Sequence, residues 1–523
     1  MNTGVAESRR SVSDERASRM HVTLGKEQAS VDEVGLARGM TTAPADEDQE
    51  VGGPRKSDDA GERLAPGPGR AKASPRGYEL QEGTMTDAST SENLSPELLR
   101  VAERARREPA AKFHSLAHLI DVAALRRAFG RIRKDAAVGV DGTTKEQYAQ
   151  DLGARLEDLH ERLKTKRYRH QPIRRVHIPK DNGKTRPIGI STIEDKIVQD
   201  SIREVLQAVY EQDFHDCSFG FRTGRRAHDA LKVIDRAAIA GHANWILEAD
   251  IVSFFDSVDR RQLMEMIDQR VADGALQRLI GKCLNVGILD GEQYTNPDEG
   301  TAQGSILSPL LGNIYLHHVL DLWFEHEVRP RLRGHAVLVR YADDFLLGFE
   351  HEDDAKRVLV VLHKRMARFG LTLHPDKTRL LHFRRPPRDQ TNGKGPGSFD
   401  FLGFTIHWRR SLDGVWSVAF KTRRARLGRA LRLVYDWCRS HRHLPVKEQH
   451  VALKRRLDGH MNYFGVSGNT RSLHRLIFHA KRAWFKWLGR RSQHGRISWD
   501  RFVAIERRFP LPRPSVRVAL WAT

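Results

Sequence analysis

Cysteine is scarce in this sequence, and long apolar runs are missing. The three cysteines, Cys217, Cys283 and Cys438, lie far apart and form no CxxC pair. This spacing excludes a disulfide framework and a cysteine-based zinc site, and it favours a reducing compartment. No apolar run approaches the roughly 18 residues that a membrane-spanning helix needs, and the N-terminus lacks the apolar stretch of a secretory signal. We therefore expect a cytoplasmic protein with no membrane partner.

Acidic residues are scarce at the C-terminal end of the chain. The formal net charge of the 523 residues is +21, and residues 409–523 alone hold 27 Lys/Arg against 6 Asp/Glu. Residues 1–408 are balanced, with 61 residues of each sign. Concentrated positive charge with interleaved aromatic residues favours a polyanionic partner, because Lys and Arg that neutralise phosphates release counterions. A solvated basic surface without a fixed partner is the alternative.

Aromatic residues are also scarce in residues 1–92, which are rich in Ser, Gly, Ala and charged residues. The stretch 65–70 alternates Pro and Gly, which cannot continue a helix or a strand. We therefore predict a disordered N-terminal extension, in which Met85 is an alternative start of the protein. The patterns that follow predict a helical segment over 93–170, a mixed α+β region over 171–408 and a C-terminal domain over 409–523 whose pattern is helical beyond Lys421.

Two neighbouring carboxylates lie between predicted strands. The apolar runs 336–339 and 345–349 each predict a strand, so the tetrapeptide Tyr341–Asp344 falls at a hairpin connection. Asp343 and Asp344 would repel each other there unless a cation lies beside them. An ordinary Asp-rich turn is the alternative interpretation.

A third carboxylate, Asp250, interrupts the mostly apolar strand predicted over residues 245–252. A buried strand does not tolerate an isolated charge without a partner or a metal, so the alternative is a salt-bridged structural residue. Beside the hairpin, Asp250 and Asp343 would hold two Mg²⁺ ions about 3.5–4 Å apart. Because side chains alternate along a strand, Asp344 would face away from Asp343 and be the weaker ligand.

The segments Ala249–Asp256 and Tyr341–Asp344 resemble the two carboxylate motifs of reverse transcriptases. The resemblance implies that Asp250, Asp343 and Asp344 are catalytic and bind metal together with the backbone of Ile251. It also implies that Phe255 blocks a ribose 2′-hydroxyl, so that the product is DNA; Phe254 is the neighbour that could exchange roles with it.

Further segments extend this resemblance from about residue 119 to the C-terminus. Ile178–Gly189 predicts a basic β-hairpin, with a solvated turn as the alternative, and Gly300–Pro309 predicts a glycine loop that allows close approach to a nucleotide or template. The resemblance implies nucleotide contacts by Lys180, Arg186, Phe255, Gln303 and Lys377. It implies template contacts by Arg222 and Gly304. Lys377 would assist proton transfer to pyrophosphate, with a structural lysine as the alternative.

The C-terminal region combines clustered cations with aromatic residues, a pattern typical of RNA binding. The segment Leu457–Phe464 resembles the maturase motif of group II intron proteins, which grip the intron RNA and aid its splicing. The RNA contacts expected from these features are made by Arg423, Arg424, Arg426, Lys481, Arg482, Trp484 and Lys486. Core packing is the alternative for Trp484.

The family resemblance implies a right-hand polymerase of the α+β class. Fingers and a palm with a ferredoxin-like sheet would precede an all-helical thumb and maturase domain. The implied function is to bind a structured intron RNA, assist its splicing and copy it into cDNA during retrohoming of the mobile element. The implied partners are an RNA template with a DNA primer, target DNA and dNTPs in a bacterial cytoplasm or nucleoid, with the oligomeric state open.

Three further expectations concern the limits of this resemblance. No Cys/His cluster or HNH-like pattern follows the maturase region, so we expect no DNA-cleaving domain there. A reverse transcriptase domesticated for DNA repair or phage defence is one alternative function. An RNA-binding splicing factor without polymerase activity is the other.

Overall fold

The computed structural model describes residues 94–179, 185–296, 299–301, 304–389, 396–411, 413–491 and 497–521. The predictions for the N-terminal extension, for Lys180 and for Gln303 concern residues outside these ranges.

Helices make up most of the regular structure in the described chain. In chain order they are α1 (Pro96–Arg107), α2 (Val122–Arg131), α3 (Lys145–Ala149), α4 (Leu152–Lys164), α5 (Ile193–Tyr210), α6 (Ala227–Ile239), α7 (Arg260–Asp268), α8 (Gly274–Leu284), α9 (Ser308–Leu316), α10 (Glu352–Arg368), α11 (Arg424–Ser440), α12 (Val446–Phe464), α13 (Thr470–Leu488) and α14 (Trp499–Arg508). Several helices begin where a side chain accepts a hydrogen bond from a free backbone N–H of the first turn, as Thr192 does for α5 and Asp259 for α7.

The strands form three sheets within the described residues. In chain order they are β1 (Ile173–Pro179), β2 (Thr185–Ile190), β3 (Trp245–Asp250), β4 (Ile288–Asp290), β5 (Gln293–Thr295), β6 (Ala336–Tyr341), β7 (Asp344–Phe349), β8 (Arg379–His382), β9 (Phe399–Phe401), β10 (Phe404–Arg410) and β11 (Trp416–Thr422). The strand orders are β2-β1-β4-β5, β6-β7-β3-β8 and β11-β10-β9. The predicted basic hairpin corresponds to β1 and β2, which pair antiparallel.

The central sheet has the order β6-β7-β3-β8, and all its pairs are antiparallel. Helices separate β3 from β6 and β7 from β8, which gives the β-α-β-β-α-β succession of a ferredoxin-like sheet. Both faces of the sheet are buried, because Leu247 and Leu347 join one hydrophobic cluster while Ile246 and Leu346 join another. A sheet covered on both sides leaves its strand ends and turns as the places for polar function.

The domain boundary predicted at residue 409 falls within β10, so the C-terminal domain is not all-helical at its start. β10 continues to Arg410, and β11 pairs with it antiparallel before α11 begins. Trp416, Val418 and Phe420 occupy alternate positions of β11 and are buried in a hydrophobic cluster, so strand periodicity outweighs the basic residues around them. From α11 onward the C-terminal region is helical, with its own buried cluster.

None of the helices in the described part of the chain is both long enough and apolar enough to cross a bilayer.

Candidate active site

The β6–β7 hairpin and the end of β3 bring three carboxylates together. The register of β3 and β7 places Asp250 opposite Asp344. Tyr341 pairs with Asp344 across the hairpin, so Ala342 and Asp343 form the connection. Asp250, Asp343 and Asp344 therefore lie at one end of the central sheet.

Burial and mutual repulsion disfavour the ionised forms of the hairpin carboxylates. Burial raises the pKa of Asp344 to about 7, with further contributions from Asp343 and Asp250. Burial also raises the pKa of Asp343, and Asp250 adds to the shift while Arg186 opposes it. A divalent cation between such carboxylates would relieve their repulsion.

The donors at this end of the sheet suit a hard cation. Carboxylate and carbonyl oxygens are the ligands that Mg²⁺ prefers, and Asp250 and Asp343 supply carboxylates. The backbone around Ile251 is fixed, because Val252 N–H donates to Thr372 and His374 N–H donates to Asp250 O. Within the described residues, no three His, Cys, Asp or Glu side chains are arranged to hold a metal ion. The carboxylates thus fit a cation in chemistry and location, although their side chains are not disposed as a closed cluster.

Two cations already neutralise part of this charge. Lys377 Nζ lies 2.5 Å from Asp250 Oδ2, and its side chain is 59% exposed. Arg186 on β2 lies close enough to oppose the rise that burial causes in the pKa of both Asp343 and Asp256. Of the predicted nucleotide contacts, Lys377 and Arg186 are thus brought to the carboxylates.

Phe255 lies just after β3 and is only partly buried, whereas Phe254 is 3% exposed. Their rings meet edge to face with centroids 5.2 Å apart. Phe254 therefore belongs to the core, and Phe255 is the ring of this pair that a nucleotide could contact.

The close approach predicted for the glycine loop is made to the protein itself. Gly304 has φ of +108°, and a Cβ there would lie 2.4 Å from the Gly189 carbonyl oxygen of β2. Gly300 has φ of +83°, and a Cβ would lie 2.9 Å from the backbone of Asp256. Packing against β2 and the β3 end accounts for both glycines, and the template contact by Gly304 stays a prediction.

The structure buries two side chains for which nucleic-acid contacts are predicted. The Arg222 side chain is 3% exposed, pairs with Glu211 at 2.8 Å and donates to the Ser218 carbonyl, so it braces the chain instead of reaching a template. Trp484 is 0% exposed, and its Nε1 donates to Gln449 at 2.9 Å. It lies on the buried face of α13, as the core-packing alternative described.

The other RNA contacts predicted in the C-terminal region lie at two places, the start of α11 and α13. Arg423, which is 3.0 Å from Asp400, and Arg424 line a cavity of about 820 Å³ at the start of α11. Arg426 lies one position before the buried Leu427 and is half-buried. On α13, Lys481 pairs with Glu506, Lys486 donates to the Tyr435 hydroxyl at 2.8 Å, and Arg482 is exposed.

The sequence interpretation missed a buried charge behind the hairpin. Arg340 on β6 and Asp321 form an ion pair in which both side chains are 0% exposed. Arg340 is a charge inside an apolar strand, which is the signal that identified Asp250 and could have identified this pair.

Part of the chain matches a known protein family. Residues 178–406 match the family described as reverse transcriptase (RNA-dependent DNA polymerase). The match begins near the end of β1 and contains β2 and all three carboxylates.

Several curated proteins are similar in sequence. Protein YkfC of Escherichia coli is 32% identical over 311 residues, which cover 53% of this chain and 77% of YkfC. The group II intron-encoded protein LtrA of Lactococcus lactis is 36% identical over 238 residues, which cover 43% of this chain and 39% of LtrA. An uncharacterised 91 kDa protein in the cob intron of Schizosaccharomyces pombe is 41% identical over 164 residues, covering 31% and 20%. The alignment thus spans most of YkfC but well under half of LtrA. The chain belongs to the family of group II intron reverse transcriptases and maturases.

Proposed function

We propose that this protein polymerises DNA on an RNA template and that Asp250, Asp343 and Asp344 form its catalytic centre. The observation that carries the proposal is the register of β3 and β7, which sets Asp250 opposite Asp344 beside the turn that holds Asp343. Asp250 is distant in sequence from Asp343 and Asp344, yet all three carboxylates lie at one end of the sheet. Their repulsion is unfavourable, and divalent cations would offset it. In this proposal the central sheet is the palm, and β1 and β2 belong to the fingers.

Asp250 and Asp343 would hold two Mg²⁺ ions, with Asp344 the weaker ligand and the backbone of Ile251 a further donor. When bound, the ions would activate the primer 3′-hydroxyl and neutralise the triphosphate. Lys377, whose Nζ donates to Asp250, would give a proton to the leaving pyrophosphate. Arg186 adds positive charge for the phosphates, and Phe255 would exclude a ribose 2′-hydroxyl.

The helical C-terminal region would act as thumb and maturase. Its exposed cations, including Arg424 and Arg482, would neutralise phosphates of a structured intron RNA and of the template–primer. The name of LtrA and the intron location of the S. pombe relative support an intron RNA as partner. Splicing assistance followed by cDNA synthesis, with target DNA and dNTPs as further partners, is the function that accounts for both regions.

Primer extension on an RNA template tests the polymerase proposal. Asp250→Ala and Asp343→Ala should each lower the rate at least about 10³-fold. Each substitution removes a ligand of the Mg²⁺ ions that would stabilise the charge developing in the transition state. Asp135→Ala is the matched control, since that carboxylate is 81% exposed and should leave the rate unchanged. If wild-type protein binds RNA but extends no primer in Mg²⁺, an RNA-binding function without polymerisation replaces this proposal.

A further inference from the structure

The buried pair Asp321–Arg340 lies directly behind the catalytic hairpin. Arg340 Nε donates to Asp321 Oδ1 at 2.8 Å, and its Nη2 donates to Asp321 Oδ2 at 2.5 Å. Desolvating two charges in this way is expensive, and apolar residues of similar volume often give equal or greater stability. Stability alone therefore does not explain why β6 carries a guanidinium at this position.

The remaining nitrogen of the guanidinium, Nη1, points to the hairpin turn. Arg340 Nη1 donates to the Ala342 carbonyl at 3.2 Å and to Asn313 Oδ1 at 2.8 Å. Asp321 fixes the fork from one side, so the remaining donor has a set direction. The carbonyl that it holds belongs to the residue immediately before Asp343.

Asn313 links Arg340 to the turn by a second route, through Gly220. The Asn313 side chain is 1% exposed, and its Nδ2 donates to the Gly220 carbonyl at 2.7 Å. A Cβ on Gly220 would lie 2.4 Å from the Ala342 nitrogen, so the Gly220 backbone rests against the turn. Phe219 N–H also donates to the Arg340 carbonyl at 2.8 Å. The turn is thus hydrogen-bonded at the Ala342 carbonyl and packed against the Gly220 backbone at the Ala342 nitrogen.

Ala342 needs such support because of its backbone conformation. Its φ is +58°, in the left-handed region that is unfavourable for a residue with a Cβ. Strained residues of this kind persist only where their surroundings over-determine them. Relaxation of Ala342 would turn the next side chain, Asp343, away from Asp250.

We propose that Asp321, Arg340 and Asn313 are positioning residues that form a buried brace, which holds Ala342 left-handed and thereby aims Asp343 at its divalent cation. The inference rests on the proposed function, since it assigns the cation to Asp343. The brace touches neither substrate nor cation. It acts through the backbone of the turn.

Asn313→Ala tests the brace while leaving the Asp321–Arg340 pair intact. Outer residues that orient metal ligands typically change metal affinity or activity by about 10–100-fold, so the Mg²⁺ concentration for half-maximal extension should rise about 10-fold. The Mn²⁺ concentration that half-saturates the protein without nucleic acid should rise similarly, as measured by electron paramagnetic resonance. Binding of the template–primer should stay within about two-fold of wild type.

Asn469→Ala is the matched control. Asn469 is also 1% exposed and bridges Thr422 and Phe464 through its side chain, in the C-terminal region. The control should lower the melting temperature without moving either cation midpoint. Equal midpoints for wild type and Asn313→Ala, or equal shifts in both variants, would overturn the brace.

Arg340→Lys is the second variant, for the case that Asn313→Ala does not fold. Lysine keeps a charge for Asp321 but lacks the fork that reaches Ala342 and Asn313. A rise in the Mn²⁺ midpoint supports the brace, and an unchanged midpoint contradicts it. Because Mn²⁺ binding needs no turnover, an inactive wild type would count against the proposed polymerase and leave this measurement valid.

Discussion

Asp250 and Arg340 each interrupt an apolar strand of the central sheet, and each meets an opposite charge. Asp250 meets the largely exposed Lys377, whereas Arg340 meets the fully buried Asp321. Lys377 can release Asp250 to another cation, because both side chains remain in contact with water. The buried pair cannot do so without leaving a charge uncompensated, which makes it suited to fixing geometry.

Lys377→Gln should slow nucleotide incorporation about 10²-fold, because a positioned proton donor contributes about that much or more. The effect should fall on kcat rather than on the KM for dNTP. Single-turnover extension with varied dNTP separates the two. Lys356→Gln is the control, since this exposed lysine pairs with Glu352 on α10 and should change neither constant. A change confined to KM would instead assign Lys377 to nucleotide binding.

Burial lowers the pKa of His460 to about 4. Its Nε2 is buried without a hydrogen-bond partner among the described residues, and its ring lies 4.6 Å from that of Phe464. The unfolded chain takes up a proton near pH 6.5 and the folded protein only near pH 4, so this residue contributes stability above pH 6.5 that is lost as the pH falls.

The free energy of unfolding should therefore fall about 2 kcal/mol less between pH 7 and pH 5 in His460→Leu than in wild type. Urea unfolding at the two pH values measures the difference. His363→Leu changes an exposed histidine on α10 and should leave the pH dependence as in wild type. Identical pH slopes in wild type and His460→Leu would show that the imidazole is solvated or paired.

Gly220 packs against the β6–β7 turn, so a larger residue there should disturb the hairpin. Gly220→Ala should displace the turn, because its Cβ would lie 2.4 Å from the Ala342 nitrogen. We expect a stability loss of about 1–3 kcal/mol, as for other overpacked sites, together with reduced primer extension. Gly428→Ala, inside α11 with no atom near the new Cβ, should instead stabilise the protein by about 0.5–1 kcal/mol. Equal extension by wild type and Gly220→Ala would show that the turn adapts.

The elements differ in how far the sequence predicts them. β3, β6 and β7 follow from apolar runs bounded by turn residues, and their pairing brings the carboxylates together. β11 lies before the helical pattern that begins beyond Lys421, and its alternating Trp416, Val418 and Phe420 were not identified as a strand. The burial of Arg222 and Trp484 does not follow from the sequence, because their partners, Glu211 and Gln449, become neighbours only through tertiary packing.

The whole molecule separates its charges by region. Residues 409–523 contain all of the net excess of positive charge, while the catalytic region carries balanced charge. In the proposed function, attraction to RNA is concentrated in the helical C-terminal region, apart from the carboxylates and their neighbours Lys377 and Arg186. The same separation makes RNA binding sensitive to ionic strength, because each neutralised phosphate releases counterions.

Replacing exposed C-terminal cations should reduce the salt dependence of RNA binding. For the double variant Arg424→Ala and Arg482→Ala, the slope of log K against log salt should fall by about 0.7 for each phosphate of single-stranded RNA that the protein no longer neutralises, and by somewhat more on duplex RNA. Filter binding of a structured RNA at several salt concentrations measures the slope. The control Arg133→Ala and Arg261→Ala removes two cations that are 75% and 82% exposed outside this region. Because the net charge of both double variants is the same, a smaller slope in the first alone would assign RNA binding to the C-terminal surface, and equal slopes would reduce it to a general effect of protein charge.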